Sequence, residues 1–365
     1  MLQRLYVHNF RCLTNFEWSP DDSNHHLLLG KNGTGKSSLG AVLAILQQLG
    51  QGKNRVEDLL LDSDFGYSNM QTPLRIEIKV KLGNDIYYYS IAFDRPPSFT
   101  RIRVAEEAFK INEKTVFERN LGVVSMPKTT QFTLDWHSAG LTLIEPRDIK
   151  NDAGRFTHWL AHMVLLAPSP GQMQGDASDT GSLFPQRNLA NLGSWFFGMH
   201  STYPEAYGLI SDTLKQFLPE FHRIIFEQLG RNQRGMRLAF QADGQNFDIE
   251  FSCLSDGEKC FFAAALVIAA NQCYGPLLCF WDEPDNYVSL AEVQHLITSL
   301  RRAFAERGQL IVTSHDTQTI LGFPLEQCAL LTRKSRLEPA RIKILDESQV
   351  DGSLINALLL GSLDE

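Results

Sequence analysis

Residues 27–38, LLLGKNGTGKSS, set three glycines between an apolar run and Lys36-Ser37-Ser38, from which an apolar-periodic helix starts. No other stretch constrains the fold as much. It fits G-x-x-x-x-G-K-[ST], in which a strand enters a tight loop and a helix leaves it. Gly30, Gly33 and Gly35 permit backbone conformations closed to other residues, so successive N–H groups of Gly30, Lys31, Asn32, Gly33, Thr34 and Gly35 can converge on a phosphate chain. Lys36 then reaches the outer phosphates as a point charge. Ser37 offers its hydroxyl to magnesium, and Ser38 continues the loop into the helix. Leu39, Val42, Leu43, Leu46 and Leu49 recur at helical spacing, with Gly50 predicted as the C-cap. The N-terminus of such a helix carries unsatisfied N–H groups and favours an anion.

A chain of 365 residues with 43% hydrophobic content can bury one large core or two ordinary ones. Its net charge of −8 argues against a surface that attracts nucleic acid throughout, while leaving room for a local basic patch. The six cysteines form no C-x-x-C pair and sit mostly in apolar runs, as buried thiols of a reducing compartment do. The N-terminus lacks the order of a signal peptide, and the apolar run 260–270 is too short for a bilayer before Asn271 and Gln272. The expectation is a cytoplasmic protein with no membrane partner.

Residues 2–18 alternate apolar and polar and predict one or two strands. Arg11 in this stretch reads either as a solvated arginine or as a guanidinium near nucleotide phosphates or base. Residues 51–72 are polar and predict a loop. Alternating runs at 74–81 and 86–93 flank Gly83-Asn84-Asp85 as a hairpin, and strand-like pieces follow through 101–117 and 131–143. Residues 155–166 predict a helix, and 171–182 a Gly, Asp and Ser-rich loop. On that loop Gln172 and Gln174 read either as nucleotide-sensing or as solvated side chains. Helical spacing resumes at 195–217, ahead of strands at 236–240 and 247–251. No heptad repeat runs through the middle, which excludes a long coiled-coil arm. The predicted division is 1–72 and 253–365 as two lobes of one catalytic fold, with a β-rich subdomain at 73–150 and a helical or mixed insertion at 151–252.

Three further stretches carry chemistry. Residues 254–259, LSDGEK, satisfy S-x-x-E through Ser255 and Glu258, a capping box opening an apolar helix. With the flexible Gly257, the same helix start is also a seat for a γ-phosphate. Residues 276–284, PLLCFWDEP, predict a buried strand delivering Asp282 and Glu283 at its carboxyl end, where α/β folds place their chemistry. The first acid suits holding magnesium through water, and the second suits orienting or deprotonating the attacking water. Residues 310–316, LIVTSHD, predict a neighbouring parallel strand ending at His315, read as a γ-phosphate contact.

These motifs in this order resemble the ATP-binding-cassette ATPases, in the soluble branch of RecF, structural-maintenance-of-chromosomes (SMC) heads and overcoming-lysogenization-defect proteins. The opening LYVHNFRCL resembles that branch's N-terminal strand and Phe-Arg pair. The resemblance covers residues 1–50 and 251–365, and Asp256 departs from the commoner glycine of transporter signatures. It implies an α/β P-loop ATPase head in which 30–38 is the Walker A loop, 254–259 the signature motif, 277–283 the Walker B strand and His315 the switch histidine. It also implies ATP and magnesium as cofactors, hydrolysis of ATP to ADP and phosphate, and a homodimer with ATP at the interface. Since the chain ends about fifty residues after His315, a nuclease or toxin output is expected from a separate effector partner, as in antiphage defence. Two rivals stand beside this reading. One is a RecF-like DNA-binding ATPase of recombination and repair, with Arg231, Arg234, Arg237, Arg301, Arg302, Arg333, Lys334 and Arg336 lining a DNA path. The other is an ATP-binding scaffold with negligible turnover.

Overall fold

The computed structural model describes residues 1–127, 131–144, 151–178, 181–230 and 233–345. Arg231 and positions 179 and 180 of the predicted loop lie outside them. The chain is mixed α/β and divides into two compact units. One comprises Met1–Ser23, Leu28–Met163 and Leu325–Glu365; the other comprises Asn24–Leu27 and Val164–Pro324.

In the first unit, eight described strands form an antiparallel sheet. Their spatial order is Phe16–Trp18, Leu2–His8, Leu74–Leu82, Asp85–Asp94, Arg103–Ile111, Lys114–Asn120, Val123–Ser125 and Gln131–Thr133. Leu74–Leu82 shows why: Leu74, Ile76, Ile78 and Val80 are buried while the residues between them are not, the period-two pattern of a half-buried strand. Phe156 of the helix Asp152–Ala161 covers that apolar face. Its ring lies 5.6 Å from Tyr87 and 5.1 Å from Phe109, within the range of stacked aromatic pairs. The helix Lys36–Gly50 buries Leu39, Val42, Leu43, Leu46 and Leu49 and packs on the same helix.

In the second unit, Val164–Leu166, Leu278–Asp282 and Gln309–Ser314 run parallel, with Leu166 opposite Trp281 and Asp282 opposite Thr313. Buried apolar runs of this kind are what parallel strands covered on both faces require. The helix Asp256–Tyr274 buries all residues from Lys259 to Asn271, so no polar face breaks its interior stretch. At 19 residues it is the longest described helix, and no long coiled coil is present among the described residues. A four-stranded antiparallel sheet completes the unit, with Phe221–Gly230, Gln233–Ala242 and Gln245–Glu250 as a meander and Ala177–Ser178 also paired to Gln233–Ala242.

Several local expectations are corrected. The helix predicted over 155–166 ends at Ala161, and Val164–Leu166 is a strand, because a three-residue apolar run has no period of its own. Between 131 and 143 only Gln131–Thr133 is extended, and Leu141–Ile144 is a helical turn. The strand Phe221–Gly230 was not predicted at all, its exposed half diluting the alternation. Gly50 is the last helical residue rather than the cap. Gln51 caps the helix and Gly52 takes the left-handed φ of +87°. Gly50 serves packing instead, since a Cβ there would stand 2.5 Å from the Ala161 nitrogen. Cys253 is exposed, unlike the buried thiols at 12, 260, 279 and 328. No described helix is long and apolar enough to cross a membrane.

Candidate functional site

The phosphate loop belongs to the first unit. Gly30 has φ +153° and leaves no room for a side chain, because a Cβ would come within 2.6 Å of the Leu331 carbonyl. Gly35, at φ +112°, is the N-cap of the helix, and a Cβ would meet the Cys12 sulfur at 3.0 Å. Lys36 folds back over the loop. Its buried Nζ donates to the carbonyls of Gly30 at 2.5 Å and Lys31 at 3.5 Å. Thr34 Oγ1 donates to the Lys31 carbonyl at 2.8 Å, closing the turn. Lys31, Asn32, Gly33 and Ser37 are exposed and Ser38 is half-buried, with Cys12 Sγ 3.8 Å from its hydroxyl.

Arg11, in the same unit, is tied to Asp64. Its Nε and Nη2 both stand 2.9 Å from Oδ1, and its backbone N–H donates to the Asp64 carbonyl. Asp64 was not singled out in the sequence. Arg333, Lys334 and Arg336 line a cleft of about 960 Å³ with Lys31, Asn32, Gly33 and Thr34. Arg333 braces it, donating to the Gly33 carbonyl at 3.3 Å and to the Glu338 carbonyl at 2.8 Å.

The remaining predicted residues belong to the second unit. Asp282 ends one parallel strand and His315 follows its neighbour. Glu283 Oε1 lies 3.4 Å from His315 Nδ1, and Asn286 Nδ2 donates to Glu283 Oε2 at 2.8 Å. Glu283 has φ +52°, a left-handed conformation costly for a residue with a side chain. Thr313 compensates: its carbonyl and Oγ1 each accept from the Glu283 N–H at 3.1 Å. The same hydroxyl donates to Asp282 Oδ1 at 2.6 Å. Burial raises the Asp285 carboxyl above its ordinary range, against the hydrogen bond from Ser314 Oγ at 2.8 Å.

Ser255 caps the helix Asp256–Tyr274 with both halves of the capping box formed. Its Oγ accepts from the Glu258 N–H at 3.3 Å, and Glu258 Oε2 accepts from the Ser255 N–H at 2.7 Å. Gly257 faces the turn after the acid pair, where a Cβ would stand 3.3 Å from the Tyr287 carbonyl. Ser255, Gly257 and Glu258 are therefore on the same unit as Glu283 and His315. Gln172 accepts from Asn188 Nδ2 at 2.6 Å.

Residues 1–336 match the RecF/RecN/SMC N-terminal domain family. The chain belongs to that family. No curated protein matches it in sequence. Solved SMC heads share its fold at low identity. An SMC head bound to the C-winged helix domain of ScpA is 13% identical, with a TM-score of 0.58, 95% of this chain covered and 98% of that one. A Pyrococcus furiosus SMC head with an extended coiled coil, bound to the C-terminal domain of ScpA, is 12% identical, with a TM-score of 0.52 and coverage of 100% and 99%. The Thermotoga maritima SMC head gives 13% and 0.50, with coverage of 94% and 99%.

Heads of the RecF/SMC family are ATPases that use ATP with magnesium, so membership supports nucleotide binding and hydrolysis here. The donors available suit that metal. The Ser37 hydroxyl in the first unit and the Asp282 carboxylate in the second are each a hard oxygen donor of the kind magnesium takes. Thr313, Asn286 and Arg187, which reaches Asp282 Oδ2 at 3.2 Å, escaped the sequence reading. Thr313 alone carried a signal, standing inside the LIVTSHD strand.

Proposed function

We propose that this chain is an ATP-binding and hydrolysing switch that dimerises on ATP, with nucleotide at the interface, and controls a DNA-directed or effector partner in antiphage defence. Lys36 and the loop N–H groups take the phosphates, and Ser37 and Asp282 take magnesium. Glu283 orients and deprotonates the attacking water, and His315 contacts the γ-phosphate. Ser255, Gly257 and Glu258 of one copy seat the γ-phosphate held by the other. The observation that carries the reading is the 3.4 Å approach of Glu283 to His315, which joins a base to a phosphate contact at the ends of adjacent parallel strands. The dimer and the defence context rest on family likeness. Glu283→Gln is expected to trap an ATP-dependent homodimer on a sizing column, and Ser255→Arg to prevent it. Identical elution with and without ATP for both variants would sink the dimer mechanism.

A second reading, a RecF-like DNA-binding ATPase, is favoured by one observation: Arg333, Lys334 and Arg336 line one cleft with Lys31. Four cations on one cleft of a chain with net charge −8 form a local basic patch. DNA affinity that falls steeply with salt, and that drops in Lys334→Glu/Arg336→Glu, would support it. Salt-independent binding would count against it.

A further inference from the structure

Both oxygens of the Asp282 carboxylate are engaged by this chain's own side chains. Oδ1 accepts from Thr313 Oγ1 at 2.6 Å, and Oδ2 pairs with Arg187 Nη2 at 3.2 Å. Arg187 is not a surface arginine that drifts into range. Its carbonyl accepts from the Ala167 N–H at 2.8 Å, and the carbonyl of Asn188 accepts from the Ser169 N–H at 3.2 Å. Those two bonds lace its backbone to the residues just after Val164–Leu166, the strand that runs parallel to Leu278–Asp282. Asn188 Nδ2 adds a bond to Gln172 Oε1 at 2.6 Å, and the Gln186 N–H donates to Asn191 Oδ1 at 2.7 Å. The guanidinium is thus presented to Asp282 by a fastened turn. The acid's side chain is only 9% exposed and the arginine's 34%, so the pair is partly desolvated and screened less than a surface pair.

From this geometry we infer that Arg187 is a positioning residue that acts as the internal counter-ion of Asp282, competing with magnesium for Oδ2. The inference rests on the reading of Asp282 as the metal acid. A divalent ion, directly or through its bound water, and a guanidinium both draw on the lone pairs of Oδ2, so each weakens the other's hold. Metal loading then loosens the hold of Arg187 on the acid. A cation in this place also keeps a partly buried carboxylate compensated.

The test is a magnesium titration of the full chain with a fluorescent ATP analogue, read as nucleotide binding rather than turnover. Arg187→Ala is expected to lower the magnesium concentration for half-maximal binding about fivefold, the scale of a partly exposed ion pair. Arg187→Lys, which keeps the charge, should stay within about twofold of wild type. Arg187→Gln keeps the length without the charge and should match Arg187→Ala; it decides the matter if the alanine variant does not fold. Asp282→Asn should abolish the magnesium response in both backgrounds. An unchanged or higher magnesium requirement in the uncharged variants, with the Asp282→Asn response lost, overturns the role of Arg187 alone. An undiminished response in Asp282→Asn overturns the assignment of the metal to Asp282 and this inference with it.

Discussion

Glu283 is held in a conformation that costs about 1–2 kcal/mol for a residue with a Cβ, and two bonds from its N–H to Thr313 hold it there. Backbone strain of this kind clusters at functional sites, where it is kept at a cost in stability. Glu283→Gly is therefore expected to raise the urea midpoint, by about 1 kcal/mol in stability, while hydrolysis is lost. A glycine variant less stable than wild type would contradict this. The places of Asp282, Glu283 and His315 at the ends of parallel strands were legible in the sequence, because each follows an apolar run. Asn286, Thr313 and Arg187 were much harder to read. Their parts depend on a turn's geometry, on one hydroxyl's direction and on a neighbour 95 positions away. Gln172 was left open between two readings, and its amide is engaged by Asn188.

Elements with a sustained period were readable, and short ones were not. The helix Lys36–Gly50 and the strands Leu74–Leu82 and Asp85–Asp94 follow from their spacing, whereas Val164–Leu166 offers only three residues of signal. Its identity as a strand is fixed by pairing with Cys279 to Trp281, which no local pattern encodes. The helix Asp152–Ala161 brings a pH effect of its own. Burial, and then the charge of the His162 ring 3.9 Å away, push the His158 imidazole down from 6.5 to about 4. The unfolded chain consequently binds more protons between those values, so stability is complete above 6.5 and is lost as pH falls towards about 4. Because the ring is partly exposed, the loss between about pH 7 and pH 5 is on the order of 1 kcal/mol. Urea melts at the two pH values should show that slope in wild type and a flatter one in His158→Gln. Equal slopes would remove His158 as the cause.

At the scale of the whole molecule, the α/β ATPase head was legible because four motifs arrived in a fixed order. The arrangement of the chain into its two units was not, since it depends on which distant stretches pack together. The proposed dimer makes a prediction at this scale. Lys36→Ala spoils the phosphate loop and leaves the signature residues, while Ser255→Arg does the reverse. Each variant alone should lose ATP hydrolysis. An equal mixture should recover part of it, because a mixed dimer holds one intact pairing of loop and signature. No recovery on mixing, with both variants folded, would argue that each copy works alone. The interleaving of the units also has a bearing on synthesis. The first unit draws on Met1–Ser23, Leu28–Met163 and a C-terminal stretch from Leu325 that includes the strand Cys328–Thr332. A ribosome making this chain therefore holds the phosphate loop long before the residues that complete its unit exist. The Leu331 carbonyl beside Gly30 emerges about three hundred residues after it. Until the strand Cys328–Thr332 has been made, the loop lacks the wall that the Leu331 carbonyl sets against Gly30.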